Sequence, residues 1–537
     1  MEEEKIKNMR EKIDVWKIQK YKCKAKIFDI HTGKKIVILN EAEAKEHDIY
    51  LGYRTTIKYG EMEAVALVDL SENYVKPGEI GVFRELADEL GICDSQDLEI
   101  IHMDQPKSLS YIKDKLEGRT LSAEAIDLII KDLMQNRLGD VELSAWICGV
   151  YTKRLSDEEI VALTNSIVNS GETLNLGVKP VCDKHCIGGV AGNRTTMIVV
   201  PIVAAAGAYI PKSSSRAITS AAGTADVMEL LAPVDLGMDE LKEIVLKAKG
   251  AMVWGGGLNL ASADDKLIKI RNPLKLDPEG MLLSSILAKK KAVNATHVVI
   301  DIPVGRGAKI EDMNAAKALG EHFIKVGQQG LGMDIESIIS DGSEPIGSGI
   351  GVALEARDVL MVLENSKILH QGGDRFFPSL KGPEDLKQKS CLLAGKLLEL
   401  CGKVEKNMGY EVAEKILLSG KALEKFKEIV ELQGGDPKVS SRDIDIGKYE
   451  HNVFAKQPGK IHHIDSKIIS KIARLAGAPK DSGAGVYLYR SKGDTIRKGE
   501  KLFTVYSSSK TKLNYVIKAL EELEPIEKRK FILGILD

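Results

Sequence analysis

The rhythm of apolar and polar positions changes several times along the chain, and each change marks a different kind of element. Residues 22–105 carry short β-rich runs, KAKIFDI, KIVIL, TTIKY and EAVALVDL, separated by turn signals such as HTG and KPGEIG. Such runs predict strands, so a β-rich domain is expected here, after a charged extension over residues 1–21. From 106 to 178 apolar residues recur at helical spacing, and Ser122 and Ser156 stand where helix caps belong. A helical domain is expected, joined in space by a later segment. From 179 to 440 strand-like and helical runs alternate; THVVIDIPV is clearly a strand, while MIVVPIV is readable either way. That alternation predicts an α/β domain with a largely parallel sheet, in which ligands sit at the carboxyl ends of the strands. Residues 441–537 return to short strands and glycine turns, an α+β domain. The expected fold class is thus multidomain α/β.

Bulk properties narrow the partner. The chain has 537 residues, with 76 basic and 78 acidic side chains and a net charge of −2. This balance lacks the basic excess expected of a nucleic-acid binder and favours a small-molecule ligand. The longest apolar run, Met197 to Ile210, has 14 residues and contains Pro201 and Gly207, too short for a helical membrane span. The first residues alternate in charge and lack the apolar core of a secretory signal. Seven scattered cysteines make no disulfide framework; a cytoplasmic setting is expected.

Four constellations carry the chemistry. The stretch DKHCIGGVAGNRTT, residues 183–196, admits three readings. Cys182, His185 and Cys186 are metal-ligand types, but no second Cys or His cluster nearby completes a tetrahedron. Cys186 as a nucleophile has only the adjacent His185 for a partner, and neighbouring side chains diverge. The third reading is an anion cradle: Gly188, Gly189 and Gly192 free the backbone amides, Thr195 and Thr196 open a helix, and Lys184 supplies charge. An ordinary glycine turn competes with it. Next comes SSSRAITSAAGTADVMELLAPVDL, with Arg216 and a Gly223-Thr224 pair opening a helix, where Thr224 reads as a cap or as an anion contact. In RNPLKLDPEGMLLSSILAKKK, Ser285 and Lys289 lie four apart and share a helix face. Asp277 before Pro278 reads first as a helix cap. Finally, VVIDIPVGRGAKIED places Arg306 and Lys309 in a glycine bend at a strand's carboxyl end, suited to a phosphate or to solvent.

These pieces, in this order, resemble the nucleoside phosphorylase family that includes the thymidine and pyrimidine nucleoside phosphorylases. The matching residues are Asp183-Lys184-His185 with Gly188-Gly189-Val190, Ser214 and Arg216 with Gly223-Thr224, Arg271 with Ser285-Ile286-Leu287-Ala288-Lys289-Lys290, and Val304-Gly305 with Gly307-Ala308. EPIGSGIGVALEARDVL, from Glu344, resembles a later glycine-rich segment of the family. Cys186, Ser220-Ala221-Ala222-Gly223-Thr224, Lys309 and the N-terminal β-rich domain depart from the pyrimidine enzymes. They are similar instead to an archaeal branch acting on nucleoside 5′-monophosphates.

The resemblance implies a pentosyltransferase that splits AMP, or a related nucleotide, with inorganic phosphate. It also implies a site in the cleft between the helical and α/β domains, no cofactor and no metal, and a homodimer that the N-terminal domain could extend. It assigns phosphate to Lys184, Thr196 and Ser214, and the nucleotide to Gly189, Ser215, Arg216, Ala217, Ile218, Thr219, Ser220, Thr224, Ser285 and Lys309. Asp277 becomes the acid, with His185, Arg271 and Lys289 as further contacts to base or ribose. The competing expectations are a thymidine or pyrimidine nucleoside phosphorylase and a non-catalytic nucleotide sensor or scaffold.

Overall fold

The computed structural model describes residues 20–103, 105–217, 220–364 and 382–528. By internal contacts the chain divides into two compact units, one ending at Ser166 and taking in Lys266–Met281, the other comprising Ile167–Asp265 and everything from Leu282 onward.

The first unit begins with six strands, β1 (Lys20–Phe28), β2 (Ile36–Asn40), β3 (Arg54–Tyr59), β4 (Met62–Ser71), β5 (Glu79–Phe83) and β6 (Asp97–His102). They close into a barrel in the order β1-β5-β2-β4-β3-β6. Antiparallel pairing of β1 with β6, Lys20 opposite Ile101, seals it, so the sheet has no open edge. Alternate side chains, among them Val37, Leu39, Ile57, Ile80 and Ile100, fill its interior. The helices Ser108–Leu116, Ala123–Met134 and Asp140–Lys153 follow. Ser122 caps the second of these through Ala125 N at 3.2 Å. Ser156 and Glu159 form a reciprocal capping box at the start of Asp157–Asn169, at 2.8 and 3.3 Å. The segment from Lys266 joins this unit, with Lys266 Nζ reaching the carbonyls of Leu133 and Met134 at 3.3 and 3.2 Å.

In the second unit, β7 (Cys182–Cys186), β10 (His297–Val304) and β11 (Asp334–Asp341) form a parallel sheet in the order β11-β10-β7. The strands β8 (Ile210–Ser214) and β9 (Gly250–Trp254) pair in parallel beside it. The ambiguous run MIVVPIV is a helix, Thr196–Ala205, buried on nearly every side. The helices Glu384–Leu400 and Lys421–Leu432 cover it. With no polar face it has no period to read, and only these distant partners decide its state.

The C-terminal part carries the antiparallel strands Tyr449–Phe454, Gly485–Leu488 and Lys501–Ser507 and the helices Ser466–Ala476 and Lys510–Ala519. Its sheet is extended by Gly349–Ile350, a strand from the preceding domain, paired antiparallel with Gly485–Leu488. Glu344 adds bonds from His463 Nδ1 at 2.9 Å and Ile464 N at 2.8 Å. Among the described residues no helix is long and apolar enough to cross a membrane.

Candidate active site

Alternation along β7 puts Cys182, Lys184 and Cys186 on one face and Asp183 and His185 on the other. Cys182 and His185 therefore point apart, which argues against a shared metal. Lys184 is 2% exposed, and its ammonium donates to Thr195 Oγ1 at 2.6 Å and Thr196 Oγ1 at 3.4 Å. Burial lowers its pKa, opposed by Cys186 and Asp301. Behind it, the buried Asp183 carboxylate receives Lys290 Nζ at 2.8 Å and faces Lys212 Nζ at 3.6 Å. Burial brings Lys212 down to about 7 despite Asp183. His185 is pushed well below its ordinary value by burial and then by Lys290, Lys212, Lys289 and Lys184. A neutral imidazole can accept as well as donate a hydrogen bond.

Asp301, on β10, pairs with Lys389 at 3.0 Å and Ser340 at 2.6 Å. Burial raises its pKa, but Lys389 and Lys184 hold it below the usual range. Arg194 pairs with the buried Glu355 and donates to Thr224 Oγ1 at 2.9 Å and Ala222 O at 2.8 Å. Among the described residues, the close ion pairs of Lys212, Lys290, Lys389 and Arg194 draw on three carboxylates, Asp183, Asp301 and Glu355, and Lys184 lies beside them without a carboxylate of its own in hydrogen-bond contact. An excess of buried cations favours an anion beside them.

Gly188, Gly189 and Gly192 all have positive φ, 96°, 93° and 72°, the left-handed region that only glycine enters without strain. A Cβ on Gly189 would lie 2.4 Å from Lys309 N. The turn after β7 and the turn after β10 touch backbone to backbone, which brings Lys309 beside Gly189. Thr224 is the first residue of the helix Thr224–Glu229, and Gly223 occupies the cap position. This corrects the cap reading: the Thr224 hydroxyl accepts from Arg194, while Asp226 accepts from Gly223 N at 2.8 Å and Ala217 N at 2.7 Å.

The other residues singled out are braced to varying degrees. Ser214 ends β8 and Ser215 is exposed beyond it. Arg216 is held by Glu229, Nη2 to Oε1 at 2.6 Å, and lies 4.8 Å over the Trp254 ring. Ser220 Oγ donates to Ala222 O at 3.0 Å; Ile218 and Thr219 lie outside the described residues. Ser285 Oγ and Lys289 Nζ each reach Asp264 Oδ2 at 2.6 Å. Their shared helix face is thus organised around a buried carboxylate that the sequence reading did not select. Arg194, in the middle of GNRTT, was missed as well, while Thr195 was read as part of the cradle but not assigned to phosphate.

Two residues belong to the first unit. Arg271, nearly buried, lies 3.3 Å from Asp277, whose side chain is 40% exposed. Asp277 stands two residues ahead of the helix Glu279–Ala292, with Pro278 between. Arg306 forms a bidentate pair with Glu527 at 2.9 and 2.7 Å, which commits it to a structural contact. Cys186 Sγ accepts from Asn193 Nδ2 at 3.2 Å. Burial and Asp301 push its thiol up to about 11, so it is protonated at neutral pH and a poor nucleophile.

A parallel sheet here carries a cation-rich, glycine-lined cradle whose charge and free backbone amides suit an anion. Residues 109–171 match the helical bundle domain of the glycosyl transferase family and residues 178–423 its a/b domain. Residues 460–527 match the pyrimidine nucleoside phosphorylase C-terminal domain. Among curated proteins, the AMP phosphorylase of Methanococcoides burtonii is 41% identical over 502 residues, covering 94% of this chain and 96% of that one. The AMP phosphorylase of Thermococcus kodakarensis is 41% identical over 512 residues, covering 95% and 99%. The chain belongs to the AMP phosphorylase family. A crystal structure of anthranilate phosphoribosyltransferase from Thermus thermophilus also aligns, with a TM-score of 0.48 and 16% identity over 60% of this chain and 98% of that chain.

Proposed function

We infer that this chain is a pentosyltransferase that phosphorolyses AMP, yielding adenine and ribose 1,5-bisphosphate. The observation that carries the phosphate part is Lys184, a buried ammonium held by Thr195 and Thr196 hydroxyls among an excess of cations. In this reading inorganic phosphate lies against Lys184, Thr196 and Ser214, and the nucleotide against Gly189, residues 215–220, Thr224, Ser285 and Lys309. A phosphate oxygen forms a bond to C1′ as the C1′–N bond breaks, and its electron pair passes into the purine. Asp277 acts as the acid that protonates the departing base. His185, Arg271 and Lys289 hold base or ribose. Charge placement and positioning do most of the work, since the transition state has oxocarbenium character and needs little covalent help.

No cofactor enters this scheme; phosphate is a co-substrate. A cytoplasmic setting is supported by seven cysteines that are all free thiols, and a homodimer by the family resemblance alone. The test is incubation with phosphate and a panel of nucleotides and nucleosides, with released base measured. Adenine from AMP is expected; release of thymine from thymidine with none from AMP overturns the reading.

A further inference from the structure

The helix Ser466–Ala476 has two sharply different faces. Ile469, Ile472, Ala473 and Ala476 are buried in the C-terminal core. Lys467, Lys471 and Arg474, at i, i+4 and i+7, share the other side. That side lines a cavity of about 1110 Å³, together with Lys480 and Lys512. The rest of the lining includes Gly189, Ser220 and Lys309 from the loops of the candidate active site.

Six cationic side chains therefore border one cavity, and no residue lining it is acidic. The acids nearby are engaged at its margins. Glu311 lies 3.8 Å from Lys467, Asp465 caps the helix through Lys467 N and Ile468 N, and Asp481 accepts from Ser508. In a chain with 76 basic and 78 acidic residues, this is a marked segregation of charge. Like charges around a cleft raise one another's energy, and an entering anion relieves them.

Inorganic phosphate already has its buried cradle at Lys184. The second anion in the reaction is the one carried on the substrate's C5′, and the basic cavity adjoins that cradle through the backbone contact of Gly189 with Lys309. We propose that Lys471 and Arg474, with Lys309, form the subsite for the substrate's phosphomonoester, so that the C-terminal lobe itself distinguishes nucleotide from nucleoside. This assignment rests on the AMP reading above.

The experiment compares the wild type with the Lys471→Ala/Arg474→Ala double variant, using AMP and adenosine as substrates. Binding of ribose 5-phosphate and of ribose is measured calorimetrically in parallel. Loss of two charge-assisted contacts is expected to lower kcat/KM for AMP by about 30-fold or more, far more than for adenosine, and to weaken ribose 5-phosphate by a similar factor. A Lys471→Arg variant should retain most of both, and the single Lys471→Ala variant, which removes one assigned contact and should show the same preference in smaller degree, provides a second probe if the double variant melts early. Equal losses on AMP and adenosine, or unchanged ribose 5-phosphate binding, overturn the subsite. If the wild type releases no adenine from AMP yet loses ribose 5-phosphate binding in the double variant, the subsite stands and the AMP reading falls. If AMP is phosphorolysed and the double variant works undiminished, the reverse holds.

Discussion

Two buried lysines, one in each unit, are solved in opposite ways. Lys115 is 3% exposed and places its ammonium 2.8 Å from both oxygens of Glu159. That carboxylate also accepts from Leu121 N and Ser156 N at 2.8 Å each. Every charge there is answered within the protein, and the pair ties three segments of the helical domain together. Lys184 is 2% exposed, but its ammonium rests on two threonine hydroxyls. Hydroxyls satisfy its hydrogens without neutralising its charge. A buried cation bonded to its own carboxylate is architecture, whereas one bonded to hydroxyls, with the nearest carboxylate, Asp301, already paired with Lys389, is poised for an anion that arrives from outside.

The sharpest test of this contrast is Lys184→Ala, expected to lower kcat/KM for phosphorolysis by roughly 10³-fold, read as adenine release, with the fold retained. Its counterpart is Lys115→Ala, which strands a buried carboxylate and should cost about 3 kcal/mol of stability in a denaturant titration. The folded fraction of that variant should keep its turnover. The comparison breaks if Lys184→Ala unfolds the protein with turnover intact, or if Lys115→Ala abolishes turnover in folded protein. Asp277→Asn should cut turnover by about 10²-fold at unchanged phosphate KM; lowered thermal stability with full turnover would return it to the role of a cap. Lys309→Ala should reduce kcat/KM for AMP by about tenfold relative to adenosine, and parallel losses on both substrates would remove its phosphate role. Cys186→Ser should have the smallest effect, with phosphate affinity unchanged or slightly improved, because a hydroxyl donates better than a thiol. A dead enzyme would give the cysteine a role that its position beside Asn193 does not suggest.

Local pattern carried the class of the fold because strands and helices announce themselves over a few residues. THVVIDIPV reads as a strand and is one, His297–Val304. MIVVPIV stayed ambiguous for a physical reason: a run apolar on all sides has no period, and the helices that enclose it lie about 180 or more residues further on. The same distance hid several residues of the site. Arg194 was in view within GNRTT, but its partner Glu355 is 161 residues away. Asp264 looks like an acid in the first turn of Ser262–Leu274. Only the fold reveals that Ser285 and Lys289 converge on it. Lys467, Lys471 and Arg474 read as the wet side of an amphipathic helix, and nothing local says that this side lines a cavity. The glycines were more legible, because a positive φ at Gly188, Gly189 and Gly192 is a demand on a single residue.

The strand Gly349–Ile350 leaves its own domain to complete the C-terminal sheet. A lobe that borrows a strand this way cannot be transplanted or deleted as a module, because excision would expose an unpaired edge on Gly485–Leu488. Changes in substrate preference that act through the C-terminal lobe are therefore expected to accumulate as point substitutions on its surface rather than through exchange of whole domains.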